Sequence, residues 1–360
     1  MEAAPQGAIN LALGELSYPM PQSLKDKTIE ILRDGNPRYT SNAGLIELRE
    51  IIAHNHGCAA EQVCVCNGAE EAIFIALMSL INPGDSIAIP DPDYPAYPTL
   101  GKILESQVQR LHFIDGFSEI DWEQWEATFK TGIKAVLLSS PSNPSGFCFS
   151  ECDATKFGDL CNQYGIIVIV DEIYANLYYG EAPVSLQGHV QHLIRIGGLS
   201  KSHCLSGWRI GWIIAPQEIA TAMVKAKQYI STCSNWLSQQ LAIFALSKQG
   251  MAEAETIRLR LKQSHQYIKR ELQAELPALF ETLHLPESTP YIMLKTINPD
   301  DLEVGTQIAN AGLITVPGSA FGDSTKGWIR LNIGVEIPLL EQSIAILKQL
   351  NRGQDGLSFY

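Results

Sequence analysis

The sequence predicts an α/β fold: a large domain built on a mostly parallel sheet flanked by helices, followed by a smaller α+β domain. Three observations carry that prediction. Short apolar runs alternate with helix-length segments from about residue 63 to residue 214, the pattern of a parallel sheet with crossover helices. The run at 166–170, Ile-Ile-Val-Ile-Val, is apolar at every position, as a strand covered on both faces is. After a long helical region at 217–272 the alternation resumes more weakly, which fits a second, smaller unit. We therefore place a large domain at residues 31–245 and a small one at 246–360, completed by the N-terminal segment 1–30.

Taken in order, residues 9–14 form a short apolar run that Tyr18-Pro-Met-Pro21 breaks. Ser23 can cap a helix over 24–33, which Asp34-Gly-Asn-Pro37 ends. Gly44 opens another that reaches His54. Residues 63–66 read as a strand, Asn67-Gly68-Ala69 as a tight turn, and 70–80 as a helix that is apolar nearly all round and hence buried. A strand at 86–89 gives way to 90–98, whose prolines argue for a loop. A short strand follows at 111–113, a helix at 121–129, and a strand at 135–138 that stops at Ser139-Ser-Pro-Ser-Asn-Pro-Ser-Gly146. Then come a helix at 151–164, the strand ending in Asp171-Glu172, and strands at 193–196 and 210–214. In the second block, 291–294, 313–316 and 328–331 read as strands, with helices near Gln307 and over 339–350.

Composition limits the function. Asp plus Glu number 39 against 26 Lys plus Arg, a net charge of -13, which disfavours nucleic acid and anionic membrane as partners. The first residues show no basic segment followed by an apolar core, and no apolar run nears the ~20 residues of a membrane span. The reading is a soluble, cytoplasmic protein. Its eight cysteines are scattered, as buried free thiols in a reducing compartment are. His54 and His56 lie two apart and would not share a helix face, so no metal site is expected.

Polar residues collect at the strand ends: Gly68-Ala69-Glu70, Tyr94, Asn143, Asp171 with Tyr174, and Lys201 with Arg209. In open α/β sheets that is where ligands bind. Each residue has an ordinary structural use alone, but together they match the needs of pyridoxal phosphate. That cofactor takes an amine for a Schiff base, a carboxylate at its pyridine nitrogen and anion-binding backbone for its phosphate. It also takes donors to its ring hydroxyl and an aromatic ring to stack on.

At these residues the chain resembles the class I and II aminotransferases, fold type I pyridoxal phosphate enzymes. The resemblance rests on the Pro-x-Asn-Pro-x-Gly segment within 139–146, on Asp171-Glu-Ile-Tyr174, and on Ser200-Lys201 followed by Gly207-Trp-Arg209-Ile-Gly211. Trp328-Ile-Arg330-Leu extends it, and Gly14-Glu15 and Arg38-Tyr39-Thr40 do so more weakly; the order runs over nearly the whole chain. It implies a seven-stranded type of sheet and an aminotransferase that moves an amino group between an amino acid and a 2-oxo acid by a ping-pong mechanism. A pyridoxal phosphate-dependent lyase, performing C–S β-elimination on the same scaffold, is the alternative.

Carried onto this chain, the resemblance makes Lys201 the Schiff-base lysine and proton shuttle, with Asp171 at the pyridine nitrogen. Asn143 and Tyr174 contact the ring hydroxyl oxygen, Tyr94 stacks on the ring, and Gly68, Ala69, Glu70 and Arg209 hold the phosphate, Glu70 through its backbone amide. Arg330 binds the substrate carboxylate, and Gly14 lies over the substrate by its backbone. Tyr39 reaches the phosphate of a neighbouring subunit, which implies a homodimer with shared active sites. Two positions depart from the family pattern. Gly198 stands where many members carry a phosphate-binding serine, and Gly14-Glu-Leu-Ser-Tyr18 replaces Gly-Glu-Pro-Asp-Phe. Leu16 and Tyr18 hint at an apolar or aromatic substrate side chain.

Overall fold

The structure, a computed structural model, describes residues 7–352. The chain opens with β1 (Ile9–Asn10), α1 (Gln22–Asp34) and α2 (Ile46–His56). The main alternation is β2 (Val63–Cys66), α3 (Ala69–Leu80), β3 (Ser86–Asp91), α4 (Ala96–Ile103), β4 (Gln107–His112), α5 (Trp122–Lys130) and β5 (Ala135–Ser139). It continues with α6 (Glu151–Tyr164), β6 (Ile167–Asp171), β7 (Leu193–Gly198) and β8 (Gly211–Ile214), then α7 (Gln217–Ile230), α8 (Trp236–Ala245) and α9 (Lys248–Ala274). The remainder holds β9 (Phe280–His284), β10 (Tyr291–Thr296), α10 (Asp301–Asn310), β11 (Leu313–Ile314), β12 (Val316–Pro317), β13 (Trp328–Asn332) and α11 (Ile337–Arg352).

Seven strands form the main sheet, in the order β2-β8-β7-β6-β5-β3-β4. The all-apolar strands are buried because both faces are covered. Side chains alternate across a strand, so Leu137 and Ile169 pack with Ile73, Ile75 and Ile87 on one face. Val136, Leu138, Val168 and Val170 pack with Trp125, Phe129 and Phe157 of α5 and α6 on the other. All neighbours from β7 to β4 are parallel. β8, however, runs antiparallel to both β7 and β2, so six strands end at one edge of the sheet and β8 begins there.

A four-stranded antiparallel sheet, β12-β13-β10-β9, forms separately. One face of α9 (Ile257, Leu261, Ile268, Leu272) shares a core with Ile292, Leu294, Ile329 and Leu331 of that sheet, and with Leu11, Leu16 and Tyr18 from the N-terminal segment. β1 also pairs parallel with β11, Ile9 opposite Leu313. α1 instead packs Leu24 and Ile31 among Leu48, Ile52 and Leu241. Residues 1–6 and 353–360, assigned above to the small domain, lie outside the described residues.

Three local expectations are corrected. Residues 90–98 are not one loop: β3 reaches Asp91 and α4 starts at Ala96. Pro95 and Pro98 fall just before and within the first helical turn, where a missing N–H costs no intrahelical bond. The helical region at 217–272 is three helices, the second and third restarted by caps in which Asn235 accepts from the Ser238 N–H and Ser247 from the Gly250 N–H. Residues 313–316 divide between β11 and β12, which belong to different sheets. β9 went unread because Phe-Glu-Thr-Leu-His alternates too weakly.

Candidate active site

At the shared edge of the sheet lies a cavity of about 480 Å³. Strand direction explains its lining. β3 leads to Tyr94, β5 to Asn143, β6 ends on Asp171 and leads to Tyr174, and β7 leads to Lys201. The excursion after β7 returns through Arg209 into β8, and the reversed direction of that strand brings Arg209 to the same edge. β13 contributes Arg330, and the N-terminal segment contributes Ala12 to Glu15.

Asp171, the last residue of β6, is 5% exposed. Its carboxylate accepts the Ile173 N–H at 3.0 Å and the Tyr97 hydroxyl at 2.9 Å. Burial raises its pKa to about 6, although these two bonds and the charge of Lys201 pull it down. Burial likewise lowers the pKa of Lys201, opposed by Asp171 and Glu15 and assisted by Arg209 and Arg330. The Lys201 amine donates to the Gly14 carbonyl. Gly14 is required there, because a Cβ would stand 2.8 Å from the Tyr291 hydroxyl. That hydroxyl shares a 2.6 Å hydrogen bond with the Tyr174 hydroxyl.

Arg330 is 4% exposed and lies over the rings of Tyr291 and Phe321, 4.2 and 4.8 Å from their centroids. One terminal nitrogen donates to Asn143 Oδ1 at 2.8 Å and the other to the Ala12 carbonyl at 2.5 Å. Its Nε is buried and has no partner, an uncommon state for a guanidinium. Asn143 is set in turn by its N–H, which donates to Ser139 Oγ at 3.2 Å. Tyr94 is half-buried and meets Tyr97 edge-on at 5.4 Å.

Gly68 (φ +94°) precedes α3 and packs against the Arg209 guanidinium so closely that a Cβ would sit 2.6 Å from Nη2. Arg209 itself holds a left-handed conformation, φ 52°, unusual for a non-glycine residue and common at functional sites. The amides of Ala69 and Glu70 open α3, where first-turn N–H groups lack helical partners and favour anions. Glu71 turns back onto Asn67, while the Glu70 side chain is exposed.

The cavity thus gathers Gly14, Ala69, Glu70, Tyr94, Asn143, Asp171, Tyr174, Lys201, Arg209 and Arg330. Gly68 lies behind it against Arg209. Tyr39 is not part of it and is 88% exposed. Leu16 and Tyr18 are also absent from the lining, being buried in the small core; Leu13 and Glu15 face the cavity instead. At Gly198 a Cβ would stand 2.9 Å from the Ile210 carbonyl and 3.0 Å from Ile173 Cδ1, so this backbone leaves no room for a serine. Tyr97, Tyr291 and Phe321 were missed. Tyr97 was hidden in the proline-rich stretch, and nothing in the local sequence marks the other two.

These residues fit pyridoxal phosphate. A half-buried amine and a buried carboxylate line one cavity with a buried guanidinium, and a cradle tight enough to exclude a Cβ adjoins a helix N-terminus. The fold and this donor set define a fold type I, pyridoxal phosphate-dependent transferase. The description aminotransferase class I and II matches residues 6–347, and the chain belongs to that family. The aspartate aminotransferase of Geobacillus stearothermophilus is 29% identical over 371 residues, covering 96% of this chain and 91% of that protein. The solved aspartate aminotransferase of Thermotoga maritima is similar with a TM-score of 0.87 at 27% identity, covering 95% of this chain and 91% of that one. For the aromatic aminotransferase of Pyrococcus horikoshii the TM-score is 0.89 at 25% identity, with 98% and 97% covered. No helix among the described residues is long and apolar enough to cross a membrane.

Proposed function

We propose that this chain moves an amino group between an amino acid and a 2-oxo acid in two half-reactions of a ping-pong cycle, with Lys201 carrying the cofactor covalently. The observation that supports this most is that Lys201, Asp171 and Arg330 line one cavity. Bound there, pyridoxal phosphate supplies a carbonyl for amine exchange and a ring that takes up negative charge from the substrate α-carbon.

The chain's own residues supply position and protons. Asp171 offers a carboxylate to the pyridine nitrogen, and the bonds from Tyr97 and Ile173 aim it. With the cofactor bound, Asn143 and Tyr174 would contact the ring hydroxyl, Tyr94 would stack on the ring, and Arg209 with the Gly68–Ala69–Glu70 backbone would receive the phosphate. Arg330 takes the substrate α-carboxylate as a planar fork, a geometry lysine cannot copy. Gly14 lies over the substrate by its backbone. Lys201 Nζ removes the α-proton and returns it, and burial makes that amine easier to deprotonate than a surface lysine. We assign the large domain to residues 31–245 and the small one to 246–360 with the N-terminal segment 1–30; the core that Leu11, Leu16 and Tyr18 share with the small sheet supports this, whereas Leu24 packs with the large domain. Tyr39, exposed in one chain, completes the phosphate site of a second copy in a homodimer.

Lys201→Ala should abolish both the visible absorbance of bound cofactor and turnover; transamination at the wild-type rate by that variant would overturn the assignment. Incubated with an amino acid alone, the holoenzyme should release 2-oxo acid in stoichiometric amount without ammonia. Ammonia with pyruvate would mark a lyase.

A further inference from the structure

The segment that follows β12 brings Phe321 to the cavity wall and is held at two places. At its base the Thr325 hydroxyl donates to the Gly318 carbonyl at 2.8 Å, and the Ser319 N–H donates to Asp301 at 2.6 Å. Its tip, residues 321–324, is held by the large sheet instead. Asp91, the last residue of β3, is 2% exposed. Its carboxylate accepts the Ser324 hydroxyl at 2.7 Å, the Asp323 N–H at 3.2 Å and the Ser324 N–H at 3.3 Å. Arg110 of the adjacent strand β4 lies 3.6 Å from that carboxylate and donates to the Phe321 carbonyl at 3.2 Å. The Asp93 N–H donates to the same carbonyl at 3.3 Å. Between these contacts sits Gly322, where a Cβ would overlap the Asp91 carboxylate.

Neither Asp91 nor Arg110 lines the cavity, but the residue they hold does. The Phe321 ring is 4% exposed and lies 4.8 Å from the Arg330 guanidinium, whose other ring contact is Tyr291 at 4.2 Å. An aromatic face against a guanidinium attracts it and keeps water from it, which strengthens its pull on an incoming carboxylate. Apolar residues would join the two sheets at less cost than a buried ion pair. A carboxylate aimed at two successive N–H groups and a hydroxyl, however, admits one register of the loop.

We propose that Asp91, together with Arg110, is a positioning residue for substrate: this clasp sets the Phe321 ring against Arg330 and so holds the guanidinium in the orientation that receives the α-carboxylate. The inference rests on the role given to Arg330 above. Every contact of the clasp lies within one chain, so it stands whatever a second copy adds to the site.

The test uses the holoenzyme and pairs each amino acid with the amine that lacks only its carboxylate: alanine with ethylamine, leucine with 3-methylbutylamine, phenylalanine with 2-phenylethylamine. Asp91→Asn keeps the shape but sets an NH2 where an oxygen accepts. It should raise the amino-acid KM by about tenfold, the loss of one hydrogen bond to a charged group. The maximal rate and the half-saturation by the amines, followed by cofactor absorbance, should stay within about twofold. Two readouts are independent of turnover. 3-Phenylpropanoate, a carboxylate with no amine, should bind about tenfold more weakly, and amide hydrogen exchange should speed up over residues 321–324. Ser324→Ala leaves the buried carboxylate in place and removes one bond; it should move the acid-to-amine ratio the same way by about threefold. Equal losses for acids and amines, as a merely structural role would give, or an unmoved ratio in both variants, overturns the inference. If no donor reacts while 3-phenylpropanoate binding still falls in the variants, the transaminase reading fails and the clasp stands.

Discussion

Asp171 ends a strand of aliphatic residues with a carboxylate that water hardly reaches. Two hydrogen bonds and the Lys201 charge fall short of offsetting its desolvation, so its pKa stands at about 6 rather than 3.8. Because the folded value is the higher one, the folded chain binds this proton more tightly than the unfolded chain. The stability that follows is present below pH ~4 and is lost as pH rises through about 6. Cofactor-free Asp171→Asn should therefore gain on the wild type as pH rises from 4 to 7, by at most ~3 kcal/mol. Parallel thermal unfolding curves would show the gap widening. With cofactor bound the order should reverse, since the variant has no charge to set against the pyridine nitrogen. A constant gap across that pH range would mean that Asp171 is not the group being titrated.

At the scale of elements, the segment joining β7 to β8 decides the site. It leaves the sheet at Gly198, presents Lys201, and comes back through a left-handed Arg209 to a strand of opposite direction. Gly198 and Gly211 let the two strands pack tightly at this edge, for a Cβ on Gly211 would lie 2.8 Å from the Gly197 carbonyl oxygen. Gly198→Ser adds a hydroxyl at the position where the family resemblance leads one to expect a phosphate-binding serine. Here its Cβ would press on the Ile210 carbonyl, and overpacking of this kind costs about 1–3 kcal/mol. We expect a lower Tm and no gain in cofactor affinity, read by thermal unfolding and by cofactor titration. Tighter cofactor binding at an unchanged Tm would show that the loop yields and that the missing serine is a real loss.

Across the whole molecule, the cavity is a joint construction. The large sheet supplies the amine, the carboxylate and the phosphate cradle, the small sheet supplies Tyr291 and Arg330, and the N-terminal segment closes one side with Gly14 and Glu15. Tyr39 remains outside it, 88% exposed, on the linker between α1 and α2. A tyrosine so placed has no role within one chain but could donate to a phosphate across an interface. Tyr39→Phe should therefore raise the cofactor Kd by about tenfold, the loss of one hydrogen bond to a charged group, and leave the size of the assembly unchanged in sedimentation. An unaltered Kd would remove Tyr39 from the site.

The apolar strands and the order of polar residues at strand ends were legible because they depend on local chemistry; the cap expected at Ser23 does not form, for α1 starts at Gln22 and the Ser23 hydroxyl donates to Glu253. A strand covered on both faces is apolar throughout, and a chain bound for a ligand places its polar residues where strands stop. The reversed direction of β8 was not legible, since a short apolar run reads the same either way. Nor was the helix hidden in residues 90–98, where prolines suit a first turn as well as a loop. Tyr97 and Tyr291 gave no sign of their hydroxyl bonds to Asp171 and Tyr174, which join residues 74 and 117 apart in the chain. By itself the sequence determined the α/β class, the family resemblance and many of the polar residues that line the cavity. Only the tertiary structure decided which partners those residues find, because pairing depends on distance in space rather than on position along the chain.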